Sequence, residues 1–210
     1  DKDIFYNFSA KSPENKAKDK AALQELFGLP VNADTPLIGI VSRLVAHKGF
    51  DLIKRVMWDL VASTDMQLVL LGSGDWEYES FFKELAAAFP GKVGVRLGFI
   101  PDMARKIYAG SDMFLMPSKS EPCGLSQMVA LRYGSIPIVR ETGGLKDTIT
   151  DSGDGQGNGF TFKSYDAYDM LDAIHRALAA YYDKKHWSTL VTRALKCDNS
   201  WGRSAREYIK

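Results

Sequence analysis

The sequence contains few of the residues that build disulfide scaffolds or metal centres. It has two cysteines and three histidines among 210 residues, which argues against a disulfide-stabilised fold and favours a reducing compartment. A formal net charge of +1 provides neither a basic stripe for nucleic acid nor an acidic tail. No apolar run reaches the length of about eighteen residues that a transmembrane helix needs. We therefore expect a globular protein that binds neither nucleic acid nor a membrane.

The sequence does contain continuous apolar runs that alternate with amphipathic segments. Residues 37–42, 66–72 and 112–118 are typical of buried strands, and such strands alternating with helices predict a parallel sheet covered on both faces. The predicted fold class is therefore α/β, with a single doubly wound, Rossmann-like sheet over residues 16–210. Residues 1–15 are interpreted as the remnant of a linker. Ligands of such sheets bind at the carboxyl ends of the strands.

Further elements follow from the same patterns and from helix-stop residues. The remaining predicted strands are residues 92–99, a fifth strand from residue 135, and an edge strand at 159–162. The predicted helices are residues 16–29, 50–63, 77–88, 100–111 and 124–134, a short helix after the fifth strand, and terminal helices at 166–182, 185–195 and 201–209.

The segment PSKSEPCGLS, residues 117–126, joins the fourth strand to a helix and carries one carboxylate, Glu121. A carboxylate at a strand end, beside the free N–H groups of a helix start at Gly124, is suited to a polar, phosphorylated ligand. An ordinary connecting loop with a solvated glutamate remains the alternative interpretation.

Two other strand-end loops contain residues of matching chemistry. Arg43 and Lys48 follow the first strand and could close over one anion, with arginine as a fork and lysine as a point charge. Thr142, Gly143 and Gly144 follow the fifth strand, where paired glycines let the backbone approach a ligand. The alternatives are two solvated cations and a simple αβ turn.

Other patterns are weaker. GSGDW at residues 72–76 begins like a dinucleotide fingerprint, but Glu77 replaces the final glycine, so we interpret it as a turn and helix cap. Phe99 could stack on a base or could be a core aromatic. His47 is the one histidine in a candidate loop, and we find neither a metal-ligand set nor a Ser-His-Asp triad.

Several of these segments together resemble one family. SRLVAHKGFDL, EPCGLSQ and RETGGLKDT are similar to motifs of bacterial glycogen synthases and plant starch synthases, retaining glycosyltransferases with two Rossmann domains (the GT-B fold) that use ADP-glucose. The resemblance covers essentially the whole chain but only the C-terminal, nucleotide-sugar half of the family. The N-terminal half, with a Lys-Thr-Gly-Gly-Leu motif and acceptor-binding residues, is not matched.

The resemblance implies a role for each candidate residue. Arg43 and Lys48 would neutralise the departing diphosphate, and Glu121 would bind the glucose hydroxyls. The residues expected to contact the donor are Phe99, Cys123, Gly124, Leu125, Ser126, Thr142, Gly143 and Gly144. No metal or other cofactor is expected. The partners would be ADP-glucose or ADP and an α-1,4-glucan acceptor bound mainly by the N-terminal half, in a bacterial cytoplasm or a plastid stroma.

The sequence departs from the wider superfamily at three positions. Val129 stands where many relatives have a second glutamate, as is usual for glycogen and starch synthases. Phe99 stands where tyrosine is common, and His47 where glutamine is frequent. Two alternatives stay open: a related transferase that uses UDP-glucose, and a donor-binding module that is inactive on its own.

Overall fold

The computed structural model describes residues 4, 6–7, 14–121, 124–154 and 156–197. In this part of the chain, six parallel strands form one sheet with eight α-helices. The strands are β1 (Leu37–Leu44), β2 (Gln67–Gly74), β3 (Val93–Leu97), β4 (Met113–Met116), β5 (Ile136–Arg140) and β6 (Phe160–Phe162). The helices are α1 (Glu14–Leu26), α2 (Phe50–Ser63), α3 (Trp76–Ala88), α4 (Pro101–Gly110), α5 (Ser126–Arg132), α6 (Gly143–Thr148), α7 (Ala167–Tyr182) and α8 (Lys184–Leu195).

The order of strands across the sheet is β3-β2-β1-β4-β5-β6. The chain starts near the middle with β1, runs outward to β3, and then returns to place β4 on the other side of β1. This is the doubly wound order, with its switch point between β1 and β4. The predicted fold class is confirmed.

Apolar side chains cover both faces of the central strands. Ile38 and Ile40 of β1 belong to the cluster that includes α2, α3 and α7. Leu37, which points to the other face, packs with Leu23 of α1 and Ile107 of α4. Fully burying such a side chain is worth about 1.5–3 kcal/mol relative to leaving it exposed, which explains why the strands are apolar without alternation. Over the described residues, every helix is too short or too polar to cross a membrane.

Several element boundaries differ from those predicted, and three of them affect the candidate site residues. β1 extends to Leu44 because its ladder with β2 continues through the pair Arg43↔Ser73, so the placement of Arg43 in the following loop was wrong. β3 ends at Leu97, and Phe99 lies beyond the ladder. α5 starts at Ser126 rather than at Gly124, since Gly124 has φ +58°, a left-handed conformation that a right-handed helix cannot contain.

Two predictions fall on residues of which the structure describes little or nothing. The terminal helix at 201–209 lies outside the described residues. The linker at 1–15 stays a prediction, although α1 already begins at Glu14.

Helix α1 is tied to the amino edge of the sheet by buried charges. Lys20 forms an ion pair with Asp112 at 2.8 Å, and the same carboxylate oxygen accepts a hydrogen bond from Leu37 N at the start of β1. Lys16 Nζ donates to the carbonyl oxygens of Ala109 and Tyr133, at 2.8 and 2.9 Å. These carbonyls lie at the C-terminal ends of α4 and α5, where the helix dipole favours a cation.

The charge on Lys16 should make stability depend on pH. Burial lowers its pKa from 10.5 to about 7, although Asp112 and Asp19 oppose the shift. Above about pH 7 the unfolded chain then binds more protons than the folded chain, so the free energy of unfolding should rise by up to about 1.4 kcal/mol per pH unit towards pH 9. Lys16→Met should abolish this slope in denaturant titrations, whereas Lys18→Met, which alters an exposed residue of the same helix, should retain it. An unchanged slope in Lys16→Met would contradict the assignment.

Candidate active site

A cleft opens where β1 and β4 separate. The ladder between them consists of the pairs Ile38↔Met113 and Gly39↔Phe114, whereas β1 follows β2 as far as Leu44. Beyond these pairs, a cavity of about 150 Å³ lies between the strand ends. Its lining consists of Ile40, Val41, Ser42, Arg43, Lys48, Phe50, Leu115, Met116, Pro117, Ser118, Glu121 and Ser126. The structure therefore brings Arg43, Lys48, Glu121 and Ser126 to one cavity.

Lys48 and Glu121 form an ion pair across this cavity. Lys48 Nζ donates to Glu121 Oε1 at 2.5 Å, and the side chains are 22% and 11% exposed. Ser118 Oγ lies 3.5 Å from the same oxygen. Such shielding makes the pair stronger than an exposed one, and loss of either partner would leave a poorly solvated charge. The sequence had suggested separate roles for these residues and did not indicate that they touch.

The two loops that carry this pair, after β1 and after β4, pack directly against each other. Gly49, just after Lys48, has φ +91°, and a Cβ there would lie 2.3 Å from the carbonyl oxygen of Pro117. This position therefore requires glycine. Lys119 N also donates to His47 O at 2.8 Å. The close packing and this hydrogen bond consequently hold the loops after β1 and β4 together.

Arg43 supplies a second cation to the cavity. It lies at the end of β1, and its side chain is exposed. Among the residues that the structure describes, none forms a hydrogen bond or ion pair with its guanidinium group. Arg43 is thus available to an anionic ligand, while Lys48 is already paired.

Phe99 lies on the same edge of the sheet, after β3, but it is not part of the cavity lining. Its side chain is 80% exposed, which rules out the interpretation as a core aromatic. An exposed aromatic ring can stack on a base or a sugar at low cost. The exposed ring of Phe99 therefore lies on the same edge of the sheet as the cavity, past the ends of β1 and β2.

The start of α5 borders the cavity through Ser126, and Leu125, its N-cap, is 50% exposed. Burial raises the pKa of Tyr108 on α4, and a hydrogen bond with Ser126 partly offsets this shift. A neutral phenol thus contacts the Ser126 hydroxyl. Cys123, also predicted to contact the donor, lies outside the described residues.

The glycine turn after β5 forms the start of helix α6. Thr142 is the N-cap of α6 and Gly143 is its first residue. Gly144 N donates to the carbonyl oxygen of Glu121 at 3.1 Å, so this N–H is engaged within the chain. The expectation that the turn contacts the donor stays a prediction. The hydrogen bond joins the loop after β5 to the loop that carries the carboxylate.

Gln127 is a residue whose role sequence reasoning missed. It is fully buried on α5, and its Nε2 donates to Gly124 O at 2.6 Å and to Thr148 Oγ1 at 3.1 Å. Thr148 Oγ1 donates in turn to Gly144 O. A buried amide in an otherwise apolar helix face was the available signal. Gln127 connects the turns at Gly124 and Gly144.

Metal ligands are not concentrated at this edge. Across the described ranges, no group of three or more His, Cys, Asp or Glu side chains is arranged to hold a metal ion. The charged groups at the cavity are two cations, Arg43 and Lys48, and one carboxylate, Glu121. This combination suits a ligand with both anionic and hydroxyl groups.

The sheet and the cavity at its switch point define the class: a doubly wound α/β domain that binds an anionic, polar ligand at its strand ends. Comparison with known proteins identifies the family. The chain belongs to the family described as Glycosyl transferases group 1, which its residues 24–190 match.

Curated relatives cover the whole chain. It is 51% identical to a glycogen synthase of Bacillus licheniformis over 210 residues, which are 99% of this chain and 43% of that protein. It is 52% identical to a glycogen synthase of Clostridium acetobutylicum over 211 residues, 99% of this chain and 44% of that protein. The chain thus spans less than half the length of these relatives.

Solved structures likewise match most or all of this chain and only half or less of their own length. The catalytic domain of starch synthase IV from Arabidopsis thaliana, bound to ADP and acarbose, matches with a TM-score of 0.91 and 37% identity over 100% of this chain and 44% of that one. Sucrose-phosphate synthase from Thermosynechococcus elongatus matches with a TM-score of 0.66 at 21% identity, over 92% and 50% of the chains, and shares the fold alone. The chain has the fold of one half of a GT-B glycosyltransferase.

Proposed function

We propose that this chain is the donor-binding half of a glycogen or starch synthase. The enzyme would transfer glucose from ADP-glucose to the 4-hydroxyl at the non-reducing end of an α-1,4-glucan, with retention. The observation that carries the proposal is the cavity at the switch point, where Arg43, Lys48 and Glu121 meet. Identity of about half the residues to glycogen synthases supports this choice, as does the likeness to a starch synthase solved with ADP. The named curated relatives are bacterial, which supports a bacterial cytoplasm over a plastid.

The chemistry requires stabilisation of a departing diphosphate and of an oxocarbenium-like sugar. Arg43 has no side-chain partner among the described residues and can bind phosphate oxygens as a fork. Lys48 pairs with Glu121 and lines the same cavity as Arg43, so its ammonium could interact with the leaving group while it orients the carboxylate. Groups fixed before the reaction are the usual source of the largest electrostatic contribution to catalysis. Glu121 Oε1 is bound by Lys48, which leaves the carboxylate a second oxygen for the glucose hydroxyls.

We also infer that ADP binds without a divalent metal, because two cations at the cavity can offset its charge. Lys48→Ala should weaken binding of ADP by about 1.5–3 kcal/mol, since it removes a charge-assisted contact and leaves Glu121 unpaired beside the phosphates. Arg43→Ala should lie at the lower end of that range because its side chain is exposed. Calorimetric titrations of ADP, with EDTA or with magnesium, measure both effects.

The matched control is Lys54→Ala, which removes an exposed lysine that pairs with Glu77 on the helix surface and should leave the affinity unchanged. Strict dependence on magnesium would refute the metal-free interpretation. Competition between ADP-glucose and UDP-glucose in the same assay separates the proposed donor from the alternative one.

A second prediction concerns the contact between Phe99 and the adenine base of ADP. If Phe99 stacks on adenine, Phe99→Ala should weaken binding of ADP by roughly 1–3 kcal/mol and leave that of pyrophosphate nearly unchanged. Tyr182→Ala, at an exposed tyrosine of the amino edge, is the control and should bind both ligands normally. Equal losses for ADP and pyrophosphate in Phe99→Ala would remove the stacking role.

A third prediction concerns which half of the enzyme binds the donor and which half binds the acceptor. The chain should bind ADP-glucose but should not elongate glycogen or malto-oligosaccharides, because acceptor binding is assigned to the other half. In an enzyme that contains both halves, Glu121→Ala should lower kcat, since contacts that strengthen in the transition state act on turnover. Its affinity for ADP should not fall, because the substitution releases Lys48 to the phosphates. Elongation by this chain alone would refute the divided site, and a normal kcat would remove Glu121 from the mechanism.

A further inference from the structure

Tyr165 lies outside the cavity, in the connection between β6 and α7, yet it contacts the loop that precedes Lys48. Its hydroxyl lies 2.5 Å from Asp51 Oδ1 and 3.0 Å from the carbonyl oxygen of Ala46. The single hydroxyl hydrogen is shared between these two acceptors, of which the carboxylate is the stronger. Burial and, after it, the hydrogen bond to Asp51 raise the pKa of Tyr165, so the phenol stays protonated and remains a donor.

Two cations lie against the ring of the same tyrosine. Arg140 Cζ and Lys119 Nζ are each 5.6 Å from the centre of the ring, a distance at which the ring attracts a cation. Arg140 NH1 also donates to the carbonyl oxygen of Lys119 at 2.7 Å. Arg140, the last residue of β5, thereby connects Tyr165 to the loop after β4.

These contacts end two residues from each member of the ion pair of the site. Ala46 is two residues before Lys48, and Lys119 is two residues before Glu121. The hydrogen bond from Lys119 N to His47 O joins the two segments. Neither Tyr165 nor Arg140 lines the cavity, so any effect on a bound ligand would be transmitted through the loops.

One buried atom of Arg140 supports a role beyond stability. Its Nε atom is buried, and in the described part of the chain it has no hydrogen-bond partner. An unpaired buried donor lowers stability, so the position of this guanidinium is not the one that would best satisfy its own hydrogen bonds. It is the position that reaches both Lys119 O and the ring of Tyr165.

We propose that Tyr165 and Arg140 are positioning residues that fix the loops of Lys48 and Glu121 relative to each other before the donor binds. This inference rests on the proposed function, because it assigns the purpose of the fixed geometry to binding the nucleotide sugar. Small displacements of binding groups lower affinity and rate steeply. A tyrosine and an arginine that touch no ligand would thus contribute to its binding.

The first test uses Tyr165→Phe, which keeps the ring and removes the hydroxyl. Backbone amide exchange is measured without ligand at Lys119, whose N–H bonds to His47, with amides of β2 as the internal reference for global unfolding. We expect exchange at Lys119 to accelerate roughly tenfold while the β2 amides stay unchanged. Tyr168→Phe, three residues away and exposed, is the control and should match the unsubstituted chain.

The second test uses Arg140→Met and Arg140→Lys, with Arg132→Met at an exposed arginine of α5 as the control. ADP affinity should fall roughly tenfold in Arg140→Met, and Arg140→Lys, which restores a cation beside Tyr165, should recover part of the loss. A purely structural role would lower the midpoint of thermal unfolding without this rescue of affinity.

The two measurements separate the inference from the proposed function. Failure of the unsubstituted chain to bind ADP refutes the proposed function, and the exchange rates then decide alone whether the loops are fixed by these residues. Unchanged exchange at Lys119 in both Tyr165→Phe and Arg140→Met overturns the inference, whatever the affinity. Faster exchange with undiminished ADP affinity also overturns it, because the fixed geometry would then not serve the ligand.

Discussion

The separation of β1 from β4 is the constraint on which the site depends. These neighbours pair over two residues at their amino ends and then diverge, because β1 follows β2 while the chain after β4 turns towards α5. If β1 and β4 stayed paired along their whole length, main-chain hydrogen bonds would join their carboxyl ends and leave no room for a ligand between them. The divergence places the end of β1 opposite the segment after β4, and the groups of the cavity extend from those two segments.

Two ion pairs at opposite edges of the sheet illustrate how charge is used differently in one domain. Lys20 and Asp112, at the amino edge, are buried and have further hydrogen-bond partners in Tyr181 and Leu37. That pair therefore holds elements of the fold together. Lys48 and Glu121 are also shielded, but they face a cavity. Because Lys48 and Glu121 border a cavity, each can replace part of its interaction with the other by an interaction with a ligand. The buried pair of Lys20 and Asp112 cannot do so.

Much of the fold and part of the site could be predicted from the sequence. Apolar runs separated by helical periodicity place the strands, and the carboxyl ends of parallel strands share one edge, so Arg43, Lys48 and Glu121 were expected to be neighbours. The use of the Gly144 N–H by Glu121 O and the position of Phe99 beyond the cavity were not expected. Both depend on the paths of loops, which hydrophobic patterns do not encode.

The sequence by itself determined the order of the elements, the doubly wound class and the chemical groups available at the strand ends, since these follow from local periodicity and residue type. Only the tertiary structure decided that Lys48 pairs with Glu121 and that Tyr165 and Arg140 contact the loops beside them. The physical reason is that these contacts join segments 21 to 119 residues apart. Their formation depends on how far neighbouring strands diverge and on which backbone groups the strand ladders leave unpaired.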